Sequence, residues 1–247
     1  MLLNGKNVII TGCNRGIGKA ILEDCAKNGA NILAIIRREN IEFSSYCEGI
    51  SHDYQIKIDI FYADFQDEDQ VKNAAKDIMK LKIPIDVLIN NIAISNSSNT
   101  FMMTKMEDIK KVFQVNYYSP LIFTQLLCRS MIRRKQGSII FIASTAIYDA
   151  WSNIEYTSSK AALAGAVRRL ALELGEYMIR VNAVAPSLTN TDMADKMGET
   201  DRAQAVNKNI MKRMAQPEEI ADAVVYLASD MSSFVTGQIM RVDGGLL

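Results

Sequence analysis

TGCNRGIG, residues 11–18, is the stretch of this sequence that decides the fold. It directly follows an apolar run, Asn7–Thr11, and opens an amphipathic run, Gly16–Lys27. Such a glycine-rich turn between a strand and a helix is typical of dinucleotide sites. The first glycine permits a tight turn, the second lets the backbone approach a pyrophosphate, and the third lets the helix pack on the strand. We therefore expect an anion at the helix N-terminus, the alternative being a glycine-rich turn that holds no ligand.

Strand-like apolar runs alternate with helix-period runs along the rest of the chain, which indicates a parallel sheet with helices on both faces. The seven predicted strands are Asn7–Thr11, Asn31–Ile36, Ile56–Ala63, Ile85–Ile89, Ser138–Ala143, Ile179–Val184 and Gln238–Val242. The predicted helices are Gly16–Lys27, Asp67–Leu81, Met106–Arg134, Ile154–Tyr177 and Pro217–Ser229. The sequence therefore predicts an α/β protein with a single-domain Rossmann fold, whose seven-stranded parallel sheet is doubly wound.

Composition and charge exclude several classes of protein. The 247 residues include 28 Lys and Arg against 28 Asp and Glu, and 49% are hydrophobic, which is typical of a globular unit with a large core. A net charge of zero offers no basis for nucleic-acid binding, because that binding depends on neutralising phosphates. No apolar run reaches the roughly 18 residues of a membrane span, and the N-terminus lacks a secretion pattern. We expect neither nucleic acid nor membrane as a partner.

Cysteine and histidine usage argues against a metal site. The four cysteines form no CxxC pair, which favours reduced thiols in a cytoplasmic protein. His52 is the one histidine of the sequence, so neither a His-based zinc site nor a Ser-His-Asp triad is expected. The two commonest hydrolase designs are thereby removed.

No linker or repeat divides the chain, so we predict one domain over residues 1–247. Two irregular stretches, Ile92–Thr104 and Ser187–Glu199, each follow the carboxyl end of a predicted strand, which is the edge where open parallel sheets bind ligands. Residues 187–214 are polar with scattered methionines and are a candidate substrate lid. An ordinary pair of surface helices is the alternative.

The end of the second predicted strand indicates which dinucleotide is bound. It reads Ile-Arg-Arg at 36–38, and Arg15 lies in the glycine-rich loop. An acidic residue usually holds a free adenosine ribose at this place, whereas guanidinium groups can converge on a 2′-phosphate through paired N–H donors. We predict NADP(H) in preference to NAD(H), with Asp64 as acceptor for the adenine amino group. Alternatively the two strand-end arginines only lie in solvent, and Glu39 leaves room for a ribose contact.

YTSSK, residues 156–160, places a phenol and an ammonium four residues apart on one face of a helix. A free tyrosine has a pKa of about 10, and a nearby cation lowers it by stabilising the phenolate, which makes proton exchange near neutrality easier. Ser144 ends a predicted strand at the same sheet edge. Asn116 is a polar residue in an apolar helical row and a candidate to link Lys160 to water.

Taken in this order, these motifs resemble those of the short-chain dehydrogenase/reductase family, and the resemblance covers essentially the whole chain. It extends to NNIA at 90–93, PS at 186–187 before Thr191, and VDGG at 242–245. Ile92 and Ala93 stand where the family has Ala-Gly, and Ser187 where it has glycine. The tetrad implied by the resemblance is Asn116, Ser144, Tyr156 and Lys160. The implied cofactor contacts are Gly12, Asn14, Arg15, Gly16, Ile17, Gly18, Arg37, Asp64, Asn91, Tyr156, Lys160, Pro186 and Thr191.

The reaction that this resemblance implies is hydride transfer between nicotinamide and a carbonyl or alcohol carbon of a small-molecule substrate. Ser144 would bind the carbonyl oxygen and Tyr156 would donate the proton. Lys160 would bind the nicotinamide ribose, and Asn116 would hold a water. The chain most resembles 3-oxoacyl-[acyl-carrier-protein] reductases, which implies a carrier-bound substrate and a homotetramer or homodimer. The alternatives are a dehydrogenase or reductase of a sugar or nucleotide-linked sugar, and a non-catalytic nucleotide-sensing or structural protein of the same fold.

Overall fold

One seven-stranded sheet forms the centre of the computed structural model, which describes residues 1–95, 100–149, 152–195 and 197–246. The strands are β1 Asn7–Thr11, β2 Asn31–Ile36, β3 Ile58–Tyr62, β4 Val87–Asn90, β5 Gly137–Ile142, β6 Ile179–Pro186 and β7 Ile239–Val242. All neighbours are parallel, in the order β3-β2-β1-β4-β5-β6-β7. The direction of winding reverses between β1 and β4, as in doubly wound sheets. The predicted Rossmann fold is confirmed.

Helices cover both faces of this sheet. They are α1 Gly16–Lys27, α2 Ile41–Tyr54, α3 Glu68–Lys80, α4 Met106–Phe113, α5 Ser119–Arg134, α6 Ala146–Asp149, α7 Ile154–Leu174, α8 Asp192–Asp195, α9 Glu199–Lys208 and α10 Pro217–Ala228. Single 3₁₀ turns lie at Phe101–Met103, Gly175–Tyr177 and Asp230–Ser232, and a π-helical turn lies at Gln114–Tyr118.

Alternate side chains of β1 enter two separate cores. Ile9 packs in the core beneath α3, α5 and α7, whereas Val8 and Ile10 pack in the core beneath α1, α2 and α10. All three residues are fully buried. The two-residue period of a strand sends its side chains to opposite faces, and helices on both faces keep both sets from water. This burial explains why the strands are apolar throughout and leaves the carboxyl edge of the sheet for polar groups.

The helix α2 was not among the predicted elements. Asn40 begins it by accepting a hydrogen bond from the Phe43 N–H at 2.9 Å. Phe43 and Cys47 are the only buried residues of this helix, all of which the structure describes, so its apolar periodicity is weak. The predicted helix Met106–Arg134 is also not continuous, because the π-helical turn separates α4 from α5.

Other boundaries differ by a few residues. β3 is shorter than predicted, whereas β4 and β6 extend to Asn90 and Pro186. The candidate lid, residues 187–214, contains α8 and α9. Lys196 of this lid and residues 96–99 of the predicted irregular stretch lie outside the described residues.

Within the described ranges, no helix combines the length and apolar character that crossing a bilayer requires. The same part of the chain contains no group of three or more His, Cys, Asp or Glu side chains placed to hold a metal ion. The cysteines Cys13, Cys25, Cys47 and Cys128 are all buried free thiols.

Candidate active site

The glycine-rich loop closes the carboxyl end of β1. Gly12 has a φ of +68° and donates its N–H to the Ile35 carbonyl oxygen at 2.8 Å. A Cβ atom at Gly18 would lie 2.1 Å from the Gly12 carbonyl oxygen and 2.5 Å from Asn91 Nδ2. The helix α1 therefore packs against the loop at backbone distance, as predicted for the third glycine.

Asn91 joins this loop to the end of β4. Its Nδ2 donates to the Thr11 and Gly12 carbonyl oxygens at 3.0 and 2.9 Å, and its backbone N–H donates to Thr11 Oγ1 at 3.0 Å. The Ile92 N–H donates to the same hydroxyl oxygen at 3.1 Å. Predicted as a cofactor contact, Asn91 lies directly beside the loop and helps to set its shape.

The N-terminus of α1 has the properties of an anion site. Arg15 is the residue that precedes the helix, and its side chain does not cap the first turn. The N–H groups of that turn are therefore available to a ligand, and the helix dipole favours negative charge there. Asn14 is exposed and Ile17 half-buried in the same loop. These donors fit a dinucleotide pyrophosphate.

Two of the arginines predicted to bind a 2′-phosphate each pair with a carboxylate of the protein. Arg37 contacts Asp64 Oδ2 through Nε at 2.9 Å and through Nη2 at 2.8 Å. Arg15 Nη1 instead lies 3.2 Å from Asp192 Oδ2, at the start of α8. Arg38 is exposed to solvent. Arg37 and Arg15 thus pair with carboxylates in different parts of the chain, and their joint contact with a 2′-phosphate stays a prediction.

Asp64 does not present a free carboxylate to an adenine ring. Its Oδ2 accepts from Arg37, and its Oδ1 accepts from the Gln66 N–H at 2.9 Å. Each oxygen thus has a partner within the protein. The contact predicted between Asp64 and the adenine amino group has to share one of these oxygens.

Ser144 and Tyr156 lie together at the carboxyl edge of the sheet. Ser144 lies two residues beyond β5, and Tyr156 is in the first turn of α7. The Ser144 side chain hydrogen-bonds the Tyr156 phenol, and its Oγ accepts from the Ala146 N–H at 3.2 Å. Burial raises the pKa of Tyr156 above its usual 10.0, while the hydrogen bond from Ser144 acts to lower it. A hydroxyl and a phenol are thus adjacent at one point of the sheet edge.

Lys160 lies one helical turn beyond Tyr156, on the same face of α7. Its Nζ is 5.7 Å from the centroid of the Tyr156 ring and donates to the Ile142 carbonyl oxygen at 2.6 Å. The side chain is 2% exposed, and this burial lowers the pKa of Lys160 to about 7.

The predicted lowering of the Tyr156 pKa by Lys160 is not what this arrangement produces. Burial removes both groups from water and favours the neutral form of each. An ammonium with a pKa of about 7 is only partly charged near neutrality, so its field on the phenol is weakened. The pairing of the two side chains is as predicted, but the net direction of the phenol's pKa was wrong.

Asn116 is fully buried, and its side chain fastens the chain after β4. Its Oδ1 accepts from the Ile94 N–H at 2.8 Å, and its Nδ2 donates to the Ile94 carbonyl oxygen at 2.9 Å and to Ser159 Oγ at 3.1 Å. Both amide protons are used in these bonds. The side chain therefore links α7 to the loop after β4, which sequence reasoning did not foresee.

The backbone carbonyl of Asn116 lies where the helical hydrogen-bonding pattern changes. Residue 120 is proline and has no N–H, so the α-helical bond to the carbonyl four residues earlier cannot form. The π-helical turn Gln114–Tyr118 occurs at this point. Pro120, four residues after Asn116, is the sequence signal that could have predicted the interruption.

Two further predicted cofactor contacts border the same edge. Pro186 ends β6, and its carbonyl oxygen accepts from the Thr145 N–H at 2.9 Å, next to Ser144. Thr191 lies over the glycine-rich loop, because a Cβ atom at Gly16 would lie 3.2 Å from Thr191 Cγ2. The start of the candidate lid is therefore in contact with the loop.

A cavity of about 370 Å³ lies at the same sheet edge. Its lining includes Ser187, Met211, Val242 and Arg241. The Arg241 guanidinium carbon lies 5.1 Å from the centroid of the Tyr148 ring, in α6 directly after the candidate serine. Space of substrate size is therefore present between the ends of β6 and β7 and the candidate lid.

Comparison with known proteins assigns the family. Residues 12–247 match the family model described as enoyl-(acyl carrier protein) reductase. The 3-oxoacyl-[acyl-carrier-protein] reductase of Thermotoga maritima is 37% identical over 250 residues, which is 100% of each chain. This chain belongs to the short-chain dehydrogenase/reductase family. A 3α-hydroxysteroid dehydrogenase of Mediterraneibacter gnavus is 35% identical over 99% of this chain and 98% of its own.

A solved relative of this short-chain dehydrogenase/reductase contains a cofactor. The crystal structure of a Brucella melitensis 3-oxoacyl-[acyl-carrier protein] reductase with bound NAD has a TM-score of 0.89 and 30% identity, and covers 99% of this chain and 92% of that one. This short-chain dehydrogenase/reductase is an oxidoreductase of the class that uses a nicotinamide dinucleotide. Its glycine-rich loop and uncapped α1 fit that cofactor.

Proposed function

We propose that this short-chain dehydrogenase/reductase is an NADP(H)-dependent reductase of 3-oxoacyl thioesters, which it converts to 3-hydroxyacyl thioesters. One observation carries this proposal. The Tyr156 phenol, hydrogen-bonded to Ser144 and one turn from a buried Lys160, lies at the sheet edge that also carries the uncapped N-terminus of α1. A proton donor and a dinucleotide site at one edge are what carbonyl reduction requires.

Ser144, Tyr156 and Lys160 have different roles in the proposed reduction. A bound dinucleotide supplies the hydride for the carbonyl carbon. Ser144 donates a hydrogen bond to the carbonyl oxygen, and Tyr156 transfers its phenolic proton to that oxygen as the carbon–oxygen double bond becomes single. Lys160 holds the ribose and, with a pKa of about 7, can both give and take a proton near neutrality.

Reprotonation of Tyr156 needs a route from solvent. Lys160 is 2% exposed and cannot exchange protons with bulk water directly. The Asn116 carbonyl, which cannot accept an α-helical bond from Pro120, is our candidate to hold a water on that route. We propose this carbonyl, rather than the fully engaged side-chain amide, as the part of Asn116 that acts.

The preference for NADP(H) rests on three arginines near the end of β2 and in the glycine-rich loop. A phosphate group forms stronger paired hydrogen bonds with guanidinium than a ribose hydroxyl does. Arg37 is 65% exposed even while paired with Asp64, so it can bind a phosphate on its open side. Arg38, exposed at the next position, adds a second positive charge.

The substrate class rests on the relatives. The Thermotoga maritima relative, which is 37% identical, is a 3-oxoacyl-[acyl-carrier-protein] reductase. The cavity beside Ser187 has a mixed lining, with apolar residues such as Met211 and charged ones such as Arg213 and Glu219, and so suits a substrate with both apolar and polar parts. A carrier-bound thioester, an oligomer built on α4, α5 and α7, and a location in the cytoplasm stay predictions. Sedimentation tests the oligomer.

Replacement of Tyr156 tests the proposed reaction. With acetoacetyl thioester and NADPH, Tyr156→Phe should lose at least about 100-fold in kcat, the lower end of what a general acid contributes, while NADPH binding stays within about twofold. Tyr177→Phe, in the 3₁₀ turn Gly175–Tyr177 that follows α7, is the matched control and should leave kcat unchanged. More than a few per cent of residual activity in Tyr156→Phe would remove this phenol from its role.

A substrate panel tests the thioester assignment separately. Sugars, nucleotide-linked sugars and a 3α-hydroxysteroid are compared with acetoacetyl thioester under the same conditions. We expect the thioester to have the highest kcat/KM. A higher value with any other class would overturn the substrate assignment but not the chemistry at Tyr156.

A further inference from the structure

An ion pair joins the glycine-rich loop to the first turn of the candidate lid. Arg15 Nη1 lies 3.2 Å from Asp192 Oδ2, and about two-thirds of each side chain is exposed (67% and 63%). The backbone is close at the same place, since a Cβ atom at Gly16 would lie 3.2 Å from Thr191 Cγ2. The carboxylate of Asp192 is therefore presented to the loop that is built to receive an anion.

Asp192 keeps this position through contacts that do not involve Arg15. The Thr191 carbonyl oxygen accepts from the Ala194 N–H at 2.8 Å, which closes the first turn of α8. Arg202 of α9 donates to the Ala194 carbonyl oxygen at 3.0 Å and lies 3.6 Å from Asp195. The helix α8 is thus tied to α9, and loss of the Arg15 contact alone would not release Asp192 from the loop.

A ligand phosphate and the Asp192 carboxylate compete for the same guanidinium. Both are oxygen anions that pair with arginine through charge-assisted N–H donors. When a phosphate occupies Arg15, Asp192 remains nearby as an unpaired negative charge that repels it. This repulsion weakens the binding of a ligand more, the more negative charge the ligand places near Arg15.

We propose that Asp192 is a specificity-determining residue for the dinucleotide: its carboxylate competes with the 2′-phosphate for Arg15 and thereby weakens NADP(H) binding more than NAD(H) binding. The proposal rests on the proposed use of NADP(H), in which Arg15 contributes to the 2′-phosphate site. NAD(H) has a hydroxyl there, so its pyrophosphate, which both dinucleotides share, is the only phosphate that it brings near Asp192.

The size of the effect follows from the exposure of the pair. Exposed ion pairs are weak and screened by salt, so removal of the carboxylate should tighten NADPH binding by about two- to fivefold at low ionic strength. The gain should shrink in high salt, since the repulsion is electrostatic. NADH binding should gain less than NADPH binding, because the two dinucleotides share the pyrophosphate and only NADPH adds the 2′-phosphate.

Direct titration of NADPH and NADH fluorescence against the full-length protein tests the proposal without catalysis. The variants are Asp192→Asn, Arg15→Gln and the double variant, with Asp201→Asn, an exposed carboxylate in the first turn of α9, as the matched control. Asp192→Asn should tighten NADPH binding more than NADH binding, and Asp201→Asn should change neither dissociation constant. In the Arg15→Gln background the gain from Asp192→Asn should disappear, because the guanidinium for which the two anions compete is gone.

Each other outcome overturns a definite statement. An unchanged NADPH affinity in Asp192→Asn, an equal gain for NADH, or a gain that persists without Arg15 would overturn the role of Asp192. A wild-type protein that binds NADH at least as tightly as NADPH would overturn the proposed cofactor preference and this inference with it. If the wild type prefers NADPH and only the variants behave otherwise, the proposed function stands and the inference alone fails.

Discussion

Gly18→Ala is the substitution for which this structure specifies the largest effect from the smallest change. The added Cβ would lie 2.1 Å from the Gly12 carbonyl oxygen, 2.9 Å from the Gly12 carbonyl carbon and 2.5 Å from Asn91 Nδ2. Carbon and oxygen make their closest ordinary contacts at about 3.3 Å, so the added Cβ and the Gly12 carbonyl oxygen would overlap by about 1.2 Å. Two of the three obstructing atoms belong to the backbone, which cannot rotate away as a flexible side chain can.

The expected loss of stability is at the upper end of the range for overpacking, about 3 kcal/mol. For a chain of this length that loss lowers Tm by about 6–12 °C. Gly165→Ala is the matched control, because Gly165 lies exposed in the middle of α7 with nothing within 4 Å of its added Cβ. Alanine is the better helix former by about 0.5–1 kcal/mol, so the control should be slightly more stable than the wild type.

Thermal unfolding of the three proteins at one protein concentration, followed by circular dichroism, measures this difference. NADPH titration should show weaker binding for Gly18→Ala, because α1 has to move away from the loop that receives the pyrophosphate. A Tm for Gly18→Ala within about 2 °C of the wild type would refute the close packing of α1 on the loop. The same holds if Gly165→Ala is destabilised as much as Gly18→Ala.

Three further substitutions test separate features. In the unfolded chain Lys160 keeps its proton up to about pH 10.5, whereas in the folded protein it releases the proton near pH 7, so the free energy of unfolding rises with pH between these values. Urea unfolding at pH 7 and pH 9 should show this rise to be about 2 kcal/mol larger for the wild type than for Lys160→Met. A difference between the two proteins that does not change with pH would contradict this. Arg37→Gln should weaken NADPH binding about tenfold, which is the contribution of one charge-assisted hydrogen bond. Equal weakening of NADH binding would show that Arg37 does not bind the 2′-phosphate. Asn116→Ala should cost about 1–3 kcal/mol and speed exchange of the Ile94 amide hydrogen; unchanged exchange would show that Asn116 does not hold that segment.

The parts of the site that are local in sequence could be predicted from it. The turn and the packing role of Gly18 follow from the order strand, glycine-rich loop, helix, which is contained within about one βα unit. Tyr156 and Lys160 share a face because residues four apart on a helix always do. The arrival of Ser144 at the same edge follows from parallel strands, whose carboxyl ends all lie on one side.

Features that depend on distant partners could not be predicted. Arg15 is oriented by Asp192, which is 177 residues away, and no periodicity in the sequence relates the two. The helix α2 was missed because only two of its residues are buried, which leaves a weak apolar pattern. Its N-cap, Asn40, is a local signal that does not by itself predict a helix. The role of the Asn116 side chain depends on the path of the loop after β4, which the sequence does not specify.

The sequence by itself determined the class of fold, the edge of the sheet that carries the site, and the identity of the phenol and ammonium on α7. These follow from hydrophobic periodicity, glycine geometry and helical spacing, all of which act over a few residues. Only the tertiary structure decided the charge state and partners of the same groups. Desolvation depends on every element packed around a side chain, and so burial sets the pKa of Lys160 near 7, raises that of Tyr156, and leaves the arginines paired with carboxylates on separate elements.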